Sequence, residues 1–299
     1  MNLPKNYARI AEIAEALSTV RAPALSSYEL GKMLYLNKTF VGKKSAKKEF
    51  ESILEMMLAL HLLTPSKIAD SYMIFGKSSA LPNEIICSLD PFSYISHLSA
   101  MEFHGLTDRF SKILYMTRPP SLLWKEYAKE KMSKDLNGQV DDYLSLGLPS
   151  LIKHKYTEIG RTLIDFHERS QLGAFRIIPN SPLRVATVGR VFLDMLREPN
   201  RCGGIQHVLD VYKQEARRFL KLIIDEFERH GKPIDKVRAG FILSEVCGLE
   251  NSIFHDWENF AQRGGSRKLD PEEEFSNRYS ERWMLSINVP SISLNKGEE

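Results

Sequence analysis

The sequence has few cysteines and no long apolar run, and each shortage excludes a class of protein. Its three cysteines, Cys87, Cys202 and Cys247, are widely separated and have no histidine at the spacing of a metal-binding motif. This usage excludes a disulfide framework and a zinc finger. Uncharged runs such as residues 56–66 are much shorter than the roughly 20 apolar residues that cross a bilayer, and the N-terminus lacks a signal-peptide pattern. We therefore expect a cytoplasmic protein without a membrane partner.

The sequence also lacks the motifs of common enzymes, since it contains no Walker loop, dinucleotide-binding glycine fingerprint or nucleophile elbow. One segment, SHLSAMEFHGLTDR, does bring His97, Glu102 and His104 together. A zinc metalloprotease needs histidines at positions i and i+4 with a glutamate next to the first, whereas these three residues stand at i, i+5 and i+7. We expect no catalytic residue, no metal and no cofactor, and therefore no enzymatic activity.

The same segment and its neighbours carry secondary-structure signals. Tyr94, Leu98 and Met101 recur at helical spacing, and His104 followed by Gly105 is a typical end of a helix. The flanking segments EIICSL and KILYMTRP are short and rich in β-branched or aromatic residues, which favours strands. Further along the chain, DLNGQVDDY indicates a polar excursion and RTLIDFHERS a further helix.

Positive charge is concentrated near the N-terminus. Residues 1–82 contain 11 Lys and Arg against 7 Asp and Glu, whereas the remaining residues contain 30 against 31. Five lysines fall within eleven positions of the segment NKTFVGKKSAKKEF, namely Lys38, Lys43, Lys44, Lys47 and Lys48. A cluster of this kind is a candidate phosphate-contacting surface, although a lysine-rich turn that is merely solvated has the same pattern.

The pattern around these lysines predicts three helices followed by a hairpin. The segments NYARIAEIAEAL, SSYELGKMLYL and FESILEMMLALHLL place apolar side chains at helical spacing. Ser26 with Glu29 forms a capping-box pattern at the start of the second helix, and Ser45 can cap the third. The segment SYMIF alternates as the return strand of a small hairpin, with Lys67 near its tip.

This order of elements predicts a winged helix-turn-helix domain over residues 1–82. The start of the third helix, with Ser45, would enter a major groove, while Lys67 or Lys77 on the wing would reach a neighbouring phosphate. A linker, SSALPNE, then leads to a larger second domain over residues 83–299. The fold class that these patterns predict is α+β and mostly helical.

A long amphipathic stretch in the second half predicts a pair of helices. In the first helix, Arg190 and Asp194 stand at i and i+4 and can form an ion pair, and Pro199 ends the helix. Gly203 and Gly204 then precede a long second helix. A glycine pair in this position either binds phosphate through free backbone amides or makes a tight turn between helices, and the tight turn is favoured.

These motifs together resemble a known family. The basic N-terminal winged helix, the segment YISHLSAMEFHGLTDR leading into ILYMTRP, the segment LRVATVGRVFLDMLREPNRCGGIQHVLDVY and a closing KLDP…RWMLSINV are similar, in kind and in order, to the AbiEi-type antitoxins of bacterial abortive-infection systems. Such antitoxins belong to type IV toxin-antitoxin systems of phage defence. The resemblance implies a winged-helix transcriptional regulator joined to a larger C-terminal α/β antitoxin domain.

The resemblance also implies a function and partners. A protein of this family represses its own operon by binding inverted repeats in operator DNA, and it counteracts an AbiEii-type nucleotidyltransferase-like toxin. Whether the two proteins touch directly varies among related systems. Symmetric repeats imply two copies on the DNA, although a monomer that pairs only on its operator is equally consistent.

The same resemblance assigns roles to individual residues. DNA contact falls on the start of the third helix, at Lys43, Lys44, Ser45, Lys47 and Lys48. The framework positions of the antitoxin domain are His97, His104, Gly105, Arg190, Asp194, Gly203 and Gly204. These framework residues are expected to support the domain and not to catalyse a reaction.

Two other functions remain open on the sequence alone. One is a ligand-sensing transcriptional regulator with no toxin partner, in which the second domain holds a small-molecule pocket. The other is an enzyme with a DNA-targeting domain, such as a nucleotidyltransferase built around GGSRKLDPEEE. That segment lacks the Asp-x-Asp metal pair of such enzymes, because Asp270 is followed by Pro271 and Glu272, so two-metal catalysis is poorly supplied.

Overall fold

A computed structural model describes residues 3–77, 79–262 and 267–292, with side chains from Ile10 onward. Its helices are α1 (Leu3–Thr19), α2 (Ser27–Leu36), α3 (Ala46–Ala59), α4 (Pro82–Leu89), α5 (His97–Phe103), α6 (Ser121–Asp135), α7 (Val140–Ser145), α8 (Val188–Arg197), α9 (Ile205–His230), α10 (Pro233–Phe241) and α11 (Ile253–Glu258). A 3-10 turn, Pro199–Cys202, follows α8, and a π-helical turn, Ile242–Val246, follows α10. Within the described chain, none of these helices has both the length and the apolar content to cross a bilayer.

The strands of the described residues are short. They are β1 (Ala24–Ser26), β2 (Leu63–Pro65), β3 (Ser71–Ile74), β4 (Tyr94–Ile95), β5 (Ile113–Arg118), β6 (Glu158–Ile159), β7 (Thr162–Glu168), β8 (Phe175–Ile177), β9 (Arg184–Ala186), β10 (Tyr279–Ser280) and β11 (Leu285–Ser286). Helices and strands are thus mixed along the chain, and the fold class is α+β.

The chain forms two compact units, whose limits differ from those of the two domains expected at residues 1–82 and 83–299. The first unit contains the residues up to Tyr94 together with 117–172 and 177–184. The second unit contains residues 95–116, 173–176 and those from Val185 onward. The first unit therefore includes chain well beyond residue 82.

The N-terminal elements of the first unit follow the order α1-β1-α2-α3-β2-β3. Their strands form an antiparallel sheet with β3 in the middle, in which Ala24 pairs with Met73 and Leu63 pairs with Ile74. The hairpin β2–β3 is the one that the alternation of SYMIF predicts. Pro65 ends β2, and β2 is an edge strand, where a residue without a backbone N–H is tolerated.

Serine caps begin both α2 and α3, as the sequence predicts. Oγ of Ser26 accepts a hydrogen bond from the backbone N of Glu29 at 3.2 Å, and Oγ of Ser45 accepts one from the backbone N of Lys48 at 3.3 Å. Each cap supplies an acceptor for an N–H group that has no partner inside its own helix. The Glu29 carboxylate, which a full capping box would direct back to Ser26, instead lies 2.5 Å from Nζ of Lys32.

The core of the first unit combines the N-terminal helices with α6 and α7. Its buried side chains include Leu30, Leu34, Phe50, Ile53, Met57, Trp124, Ala128, Met132, Leu136 and Tyr143. The segment DLNGQVDDY is the exposed turn between α6 and α7 together with the start of α7, and Leu136 and Tyr143 anchor it because both are fully buried. Seven of the twenty buried residues described in this core lie beyond residue 82, which explains why the unit extends further.

The segment EIICSL is helical, so the prediction of a strand there was wrong. Pro82 lies in the first turn of α4, where a missing N–H costs no helical hydrogen bond. Oε2 of Glu84 accepts a hydrogen bond from the backbone N of Leu81 at 2.9 Å, as in a capping box. Ile86 and Leu89 are buried at helical spacing. The expected linker SSALPNE thus leads directly into α4, and its start signals outweigh the β propensity of the isoleucines.

The segment RTLIDFHERS contains the whole of strand β7, so the prediction of a helix there was also wrong. Ile159 of β6 pairs antiparallel with Thr162 of β7, and a two-residue loop that begins with Gly160 joins them. Gly160 has a φ of +63°, a value that glycine adopts readily and that short hairpin loops need. Along β7, Leu163 is exposed and Ile164 is buried, which is the alternation of a half-buried strand.

Helix α5 of the second unit is preceded along the chain by β4 and followed by β5. The strands are neighbours in the order β5-β4-β9-β8, and Ile95 of β4 pairs in parallel with Val185 of β9. The backbone N of Ser96 donates to the carbonyl of Tyr115 at 3.0 Å. Because this pairing keeps the chain extended, the helix that was expected to include Tyr94 begins only at His97.

Helices α8 and α9 pack closely within the second unit. Val191, Phe192 and Met195 of α8 are fully buried, as their spacing predicts. Gly189 permits the close approach, because a methyl group in its place would lie only 2.3 Å from the backbone carbonyl oxygen of Leu222 on α9. A larger residue at this crossing would push the two helices apart.

Candidate nucleic-acid interface

Four of the lysines that the sequence singles out lie in the first turn of α3 or just before it. Ser45 fixes the start of the helix, and the apolar side chains of Ala46 and Phe50 turn into the core. The opposite face is therefore directed outward. We refer to residues 43–48 as the basic first turn, and its exposed cations are Lys43, Lys44, Lys47 and Lys48.

Carboxylates neutralise part of this charge. Nζ of Lys43 lies 2.7 Å from Oε1 of Glu49, and Nζ of Lys47 lies 4.0 Å from Oε1 of Glu51, which is the limit for an ion pair. Neither Lys44 nor Lys48 has a carboxylate partner within the part of the chain that the structure describes. Their charges are consequently the most available to a polyanion.

Two further lysines lie on neighbouring loops. Lys38 is exposed in the turn after α2, and Lys67 is exposed in the loop between β2 and β3. Lys77, the other wing candidate, instead donates from Nζ to the backbone carbonyl of Ala22 at 3.4 Å, and partial burial lowers its pKa. Lys67 is thus the more exposed of the two lysines that the sequence assigns to a wing.

Acidic residues confine the basic surface to the beginning of α3. Glu51 and Glu55 are exposed on the following turns, and residues 50–59 contain no lysine or arginine. The partial positive charge of a helix N-terminus adds to that of the lysines. Positive charge is therefore concentrated at the start of α3, and negative charge lies on its later turns.

His97 of the second unit is completely buried. Its Nδ1 lies 2.8 Å from Oγ of Ser96, and its Nε2 lies 3.5 Å from Oε2 of Glu198. The residue has a φ of +50°, an uncommon backbone conformation for a non-glycine residue. These contacts give His97 a role in joining the start of α5 to the end of α8.

His104 and Gly105 end α5, as predicted. Nε2 of His104 lies 2.7 Å from the backbone carbonyl of Ala186 in β9, and burial lowers the pKa of this histidine. Gly105 follows in the left-handed conformation with a φ of +65°, as is usual after the end of a helix. The pair therefore links the helix to a strand of the same unit.

Arg190 and Asp194 form the predicted ion pair, and they do so in the interior. Nε of Arg190 lies 2.9 Å from Oδ1 of Asp194, and Gly173 leaves room for the guanidinium, since a methyl group there would lie 2.4 Å from the same Nε. Glu226 of α9 also faces Arg190, with Oε1 3.8 Å from Nη1. Sequence reasoning missed Glu226, because it lies 36 positions from Arg190 and shares no local spacing with it.

Gly203 and Gly204 form the turn between the 3-10 segment and α9. Both have left-handed φ values, +91° and +89°, and the carbonyl of Gly203 accepts a hydrogen bond from Nη1 of Arg109 at 3.1 Å. A methyl group on Gly203 would lie 2.8 Å from Cδ2 of His207, whose Nε2 in turn lies 2.9 Å from Oγ1 of Thr107. The glycine pair thus makes the tight turn between helices that the sequence favours, and side chains pack against Gly203.

The segment GGSRKLDPEEE is described only in part, because Gly264, Gly265 and Ser266 lie outside the described residues. Asp270 is buried, its backbone N donates to Oδ1 of Asn288, and its Oδ1 accepts a hydrogen bond from the backbone N of Glu272, both at 2.9 Å. Its carboxylate is engaged in holding a turn of the chain. This contact gives Asp270 a structural role.

Comparisons with known proteins give little guidance to function. No protein-family model matches the chain, and no curated protein matches it. Among solved structures, a crystal structure of the RV2827C protein from Mycobacterium tuberculosis is similar over 94% of this chain and 91% of that chain, with 11% sequence identity and a TM-score of 0.46. A likeness at this level carries no argument about function.

Proposed function

We propose that the protein is a DNA-binding antitoxin of the AbiEi type, which represses its own toxin-antitoxin operon and counteracts a nucleotidyltransferase-like toxin. The observation that carries the DNA-binding half is the basic first turn of α3. The Ser45 cap defines its backbone, and Lys44 and Lys48 are exposed there without a carboxylate partner among the described residues. Lysines held at a helix start in this way suit contact with the phosphates that flank a groove.

The order of the N-terminal elements supports the same proposal. Three helices and an antiparallel three-stranded sheet, in the order α1-β1-α2-α3-β2-β3, correspond to the plan of a winged helix-turn-helix. In that plan α3 is the helix that enters the major groove, and the loop between β2 and β3, with Lys67, is the wing. Lys38, in the turn before α3, is a further candidate for phosphate contact.

The antitoxin half of the proposal places toxin neutralisation on the second unit. Its motif residues His97, His104, Arg190 and Asp194 are half-buried or buried and engaged in internal contacts. That burial supports a framework role for them, and the protein acts in this proposal by binding and not by catalysis. The partners are operator DNA with inverted repeats, bound by two copies of the chain, and an AbiEii-type toxin in the cytoplasm.

A gel-shift experiment with the promoter fragment of the protein's own operon tests the DNA-binding half. Lys44→Glu with Lys48→Glu is expected to abolish binding, because it replaces two phosphate contacts by repulsion. Lys125→Glu with Lys129→Glu makes the same change of charge at exposed positions of α6 in the same unit and is expected to retain binding. Equal affinity for the first variant and the wild type would contradict the proposal.

Co-expression tests the antitoxin half. A nucleotidyltransferase-like protein encoded beside this one is expected to arrest growth alone, and growth is expected to return when the wild-type chain is present. The Lys44→Glu, Lys48→Glu variant is expected to rescue growth as well, since neutralisation is assigned to the second unit. Continued arrest in the presence of the wild-type chain would contradict the antitoxin assignment.

One observation favours the alternative of a ligand-sensing regulator without a toxin partner. The second unit contains a half-open cleft of about 570 Å³, lined by Ser244, Asn251, Phe254 and Arg282 beside the π-helical turn Ile242–Val246. This volume lies within the range of small-molecule pockets, and π-helical turns are frequent at functional sites. A small molecule that changes DNA affinity in the absence of any toxin would favour this function.

A further inference from the structure

The loop after α7 lies against a lysine of the basic first turn. A methyl group placed on Gly147 would lie 3.5 Å from Cβ, 3.6 Å from Cδ and 3.9 Å from Cγ of Lys47. These are ordinary van der Waals distances, so Gly147 lies beside the stem of Lys47 with room for a methyl group between them. The sequence separates the two residues by one hundred positions, and both belong to the first unit.

The loop is held firmly in its place. The backbone N of Gly147 donates to the carbonyl of Leu144 at 2.9 Å, and Oη of Tyr143 donates to the carbonyl of Pro149 at 2.8 Å. The ring of Tyr143 is fully buried and meets Tyr35 of α2 edge-to-face, with ring centroids 5.3 Å apart. The support beside Lys47 is therefore fastened to the same core as α2 and α3.

The charged end of Lys47 remains available. Its side chain is 65% exposed although its stem lies beside the loop, and its Nζ is 4.0 Å from Oε1 of Glu51. Residues 140–149 contain no lysine or arginine, so the loop brings no cation of its own to a phosphate. Its effect on a bound polyanion must come through the direction that it gives to Lys47.

We propose that Gly147 is a positioning residue of the DNA interface, which directs the Lys47 ammonium group toward a DNA phosphate. This inference rests on the proposed function, since it requires that the basic first turn contacts DNA. Gly147 suits the role because its φ of +72° lies in the left-handed region, where a side chain is strained. Alanine there strains the loop backbone and puts a methyl group against the stem of Lys47, which changes the direction of the ammonium group.

A double-mutant cycle tests the inference. The affinity of the full chain for a mixed-sequence DNA duplex is measured by fluorescence anisotropy for the wild type, Gly147→Ala, Lys47→Ala and the double variant. Gly147→Ala is expected to weaken binding several-fold in the wild type and to have no further effect when Lys47 is already alanine. Lys47→Ala is expected to lower the slope of log K against log salt by about one, the value for one lost phosphate contact.

Gly138→Ala is the matched control, because Gly138 also has a left-handed φ, +81°, but a methyl group there meets no other atom within 4 Å. It imposes the same backbone strain on the turn before α7 and is expected to leave affinity unchanged.

An effect of Gly147→Ala that persists in the Lys47→Ala background, or no effect at all, overturns the inference. If the wild type fails to bind the duplex, the proposed function fails with it, whereas binding that depends on Lys44 and Lys48 but shows no coupling in the cycle overturns the inference alone.

Discussion

Nε of Arg190 lies 2.9 Å from Oδ1 of Asp194, and both side chains are almost completely buried. Glu226 of α9 faces the same guanidinium. Burial raises the pKa of Glu226, and the nearby Arg190 offsets part of that effect. Charges removed from water stabilise a fold only while their partners are present. The Arg190–Asp194 pair lies within α8, and Glu226 extends the charged group to α9. This group is therefore sensitive to the loss of one member.

Asp194→Ala is expected to lower the free energy of unfolding by about 3–5 kcal/mol, because it leaves the Arg190 charge buried with a weaker partner. Arg190→Met with Asp194→Leu removes both charges and keeps most of the volume, so it is expected to be less destabilising than Asp194→Ala. Urea denaturation of the three proteins measures the difference. A double variant as unstable as the single one would show that the ion pair itself stabilises the fold.

Glu49→Gln is expected to strengthen DNA binding. Nζ of Lys43 lies 2.7 Å from Oε1 of Glu49, so the substitution frees one cation of the basic first turn and removes a carboxylate. Ion pairs at exposed sites are worth at most about 1 kcal/mol, which limits the gain to roughly five-fold in Kd. Glu12→Gln, at an exposed position of α1, removes the same charge elsewhere in the unit. An equal gain from both variants would argue for a general charge effect.

Stability is expected to decrease in mild acid. Burial lowers the pKa of His104, His154 and His207, so the unfolded chain binds protons at a higher pH than the folded chain does. The stabilisation by the neutral forms is complete above the ordinary histidine pKa of 6.5 and is lost as the pH falls below it toward the folded-state values.

Urea denaturation at about pH 7.5 and about pH 5.5 measures this loss, which is at most about 1.4 kcal/mol per pH unit for each histidine. His154→Asn is expected to reduce the pH dependence, because it removes one titrating group from the interior. His255→Asn, at an exposed position, serves as the control. The same pH dependence in His154→Asn and the wild type would contradict the assignment of the effect to His154.

Trp124→Ala is expected to destabilise the first unit by about 3–5 kcal/mol. Trp124 is buried in the core that α6 shares with α2 and α3, and its Nε1 donates to Oδ1 of Asp90 at 3.0 Å. Leu122→Ala, at an exposed position of the same helix, is expected to change stability by less than about 0.5 kcal/mol. Thermal denaturation compares the two. Similar stabilities would mean that α6 contributes little to this core.

Local signals in the sequence predicted a large part of the fold. The Ser26 and Ser45 caps, the β2–β3 hairpin, the helix end at His104 and the Arg190–Asp194 pair all depend on residues a few positions apart, and the structure contains each of them. Patterns of this kind act through hydrogen bonds that one turn or one hairpin can complete. They are therefore visible in a short stretch of sequence.

Features that depend on distant partners were not predictable in the same way. The polar appearance of DLNGQVDDY concealed Leu136 and Tyr143, whose burial depends on α2 and α3, about one hundred positions earlier. The contact of Gly147 with Lys47 has the same origin. By contrast, the start signal at Pro82 and the hairpin loop at Gly160 are local and readable. The wrong predictions for EIICSL and RTLIDFHERS gave the composition of these segments more weight than those two signals.

The salt dependence of DNA binding tests the central claim most directly. The affinity of the full chain for a mixed-sequence duplex is measured over a range of salt concentrations for the wild type, for Lys44→Ala with Lys48→Ala, and for Lys125→Ala with Lys129→Ala. If the basic first turn contacts phosphate, the first pair lowers the slope of log K against log salt by about two, and the second pair leaves it unchanged. An unchanged slope for Lys44→Ala with Lys48→Ala would contradict the assignment of DNA contact to α3.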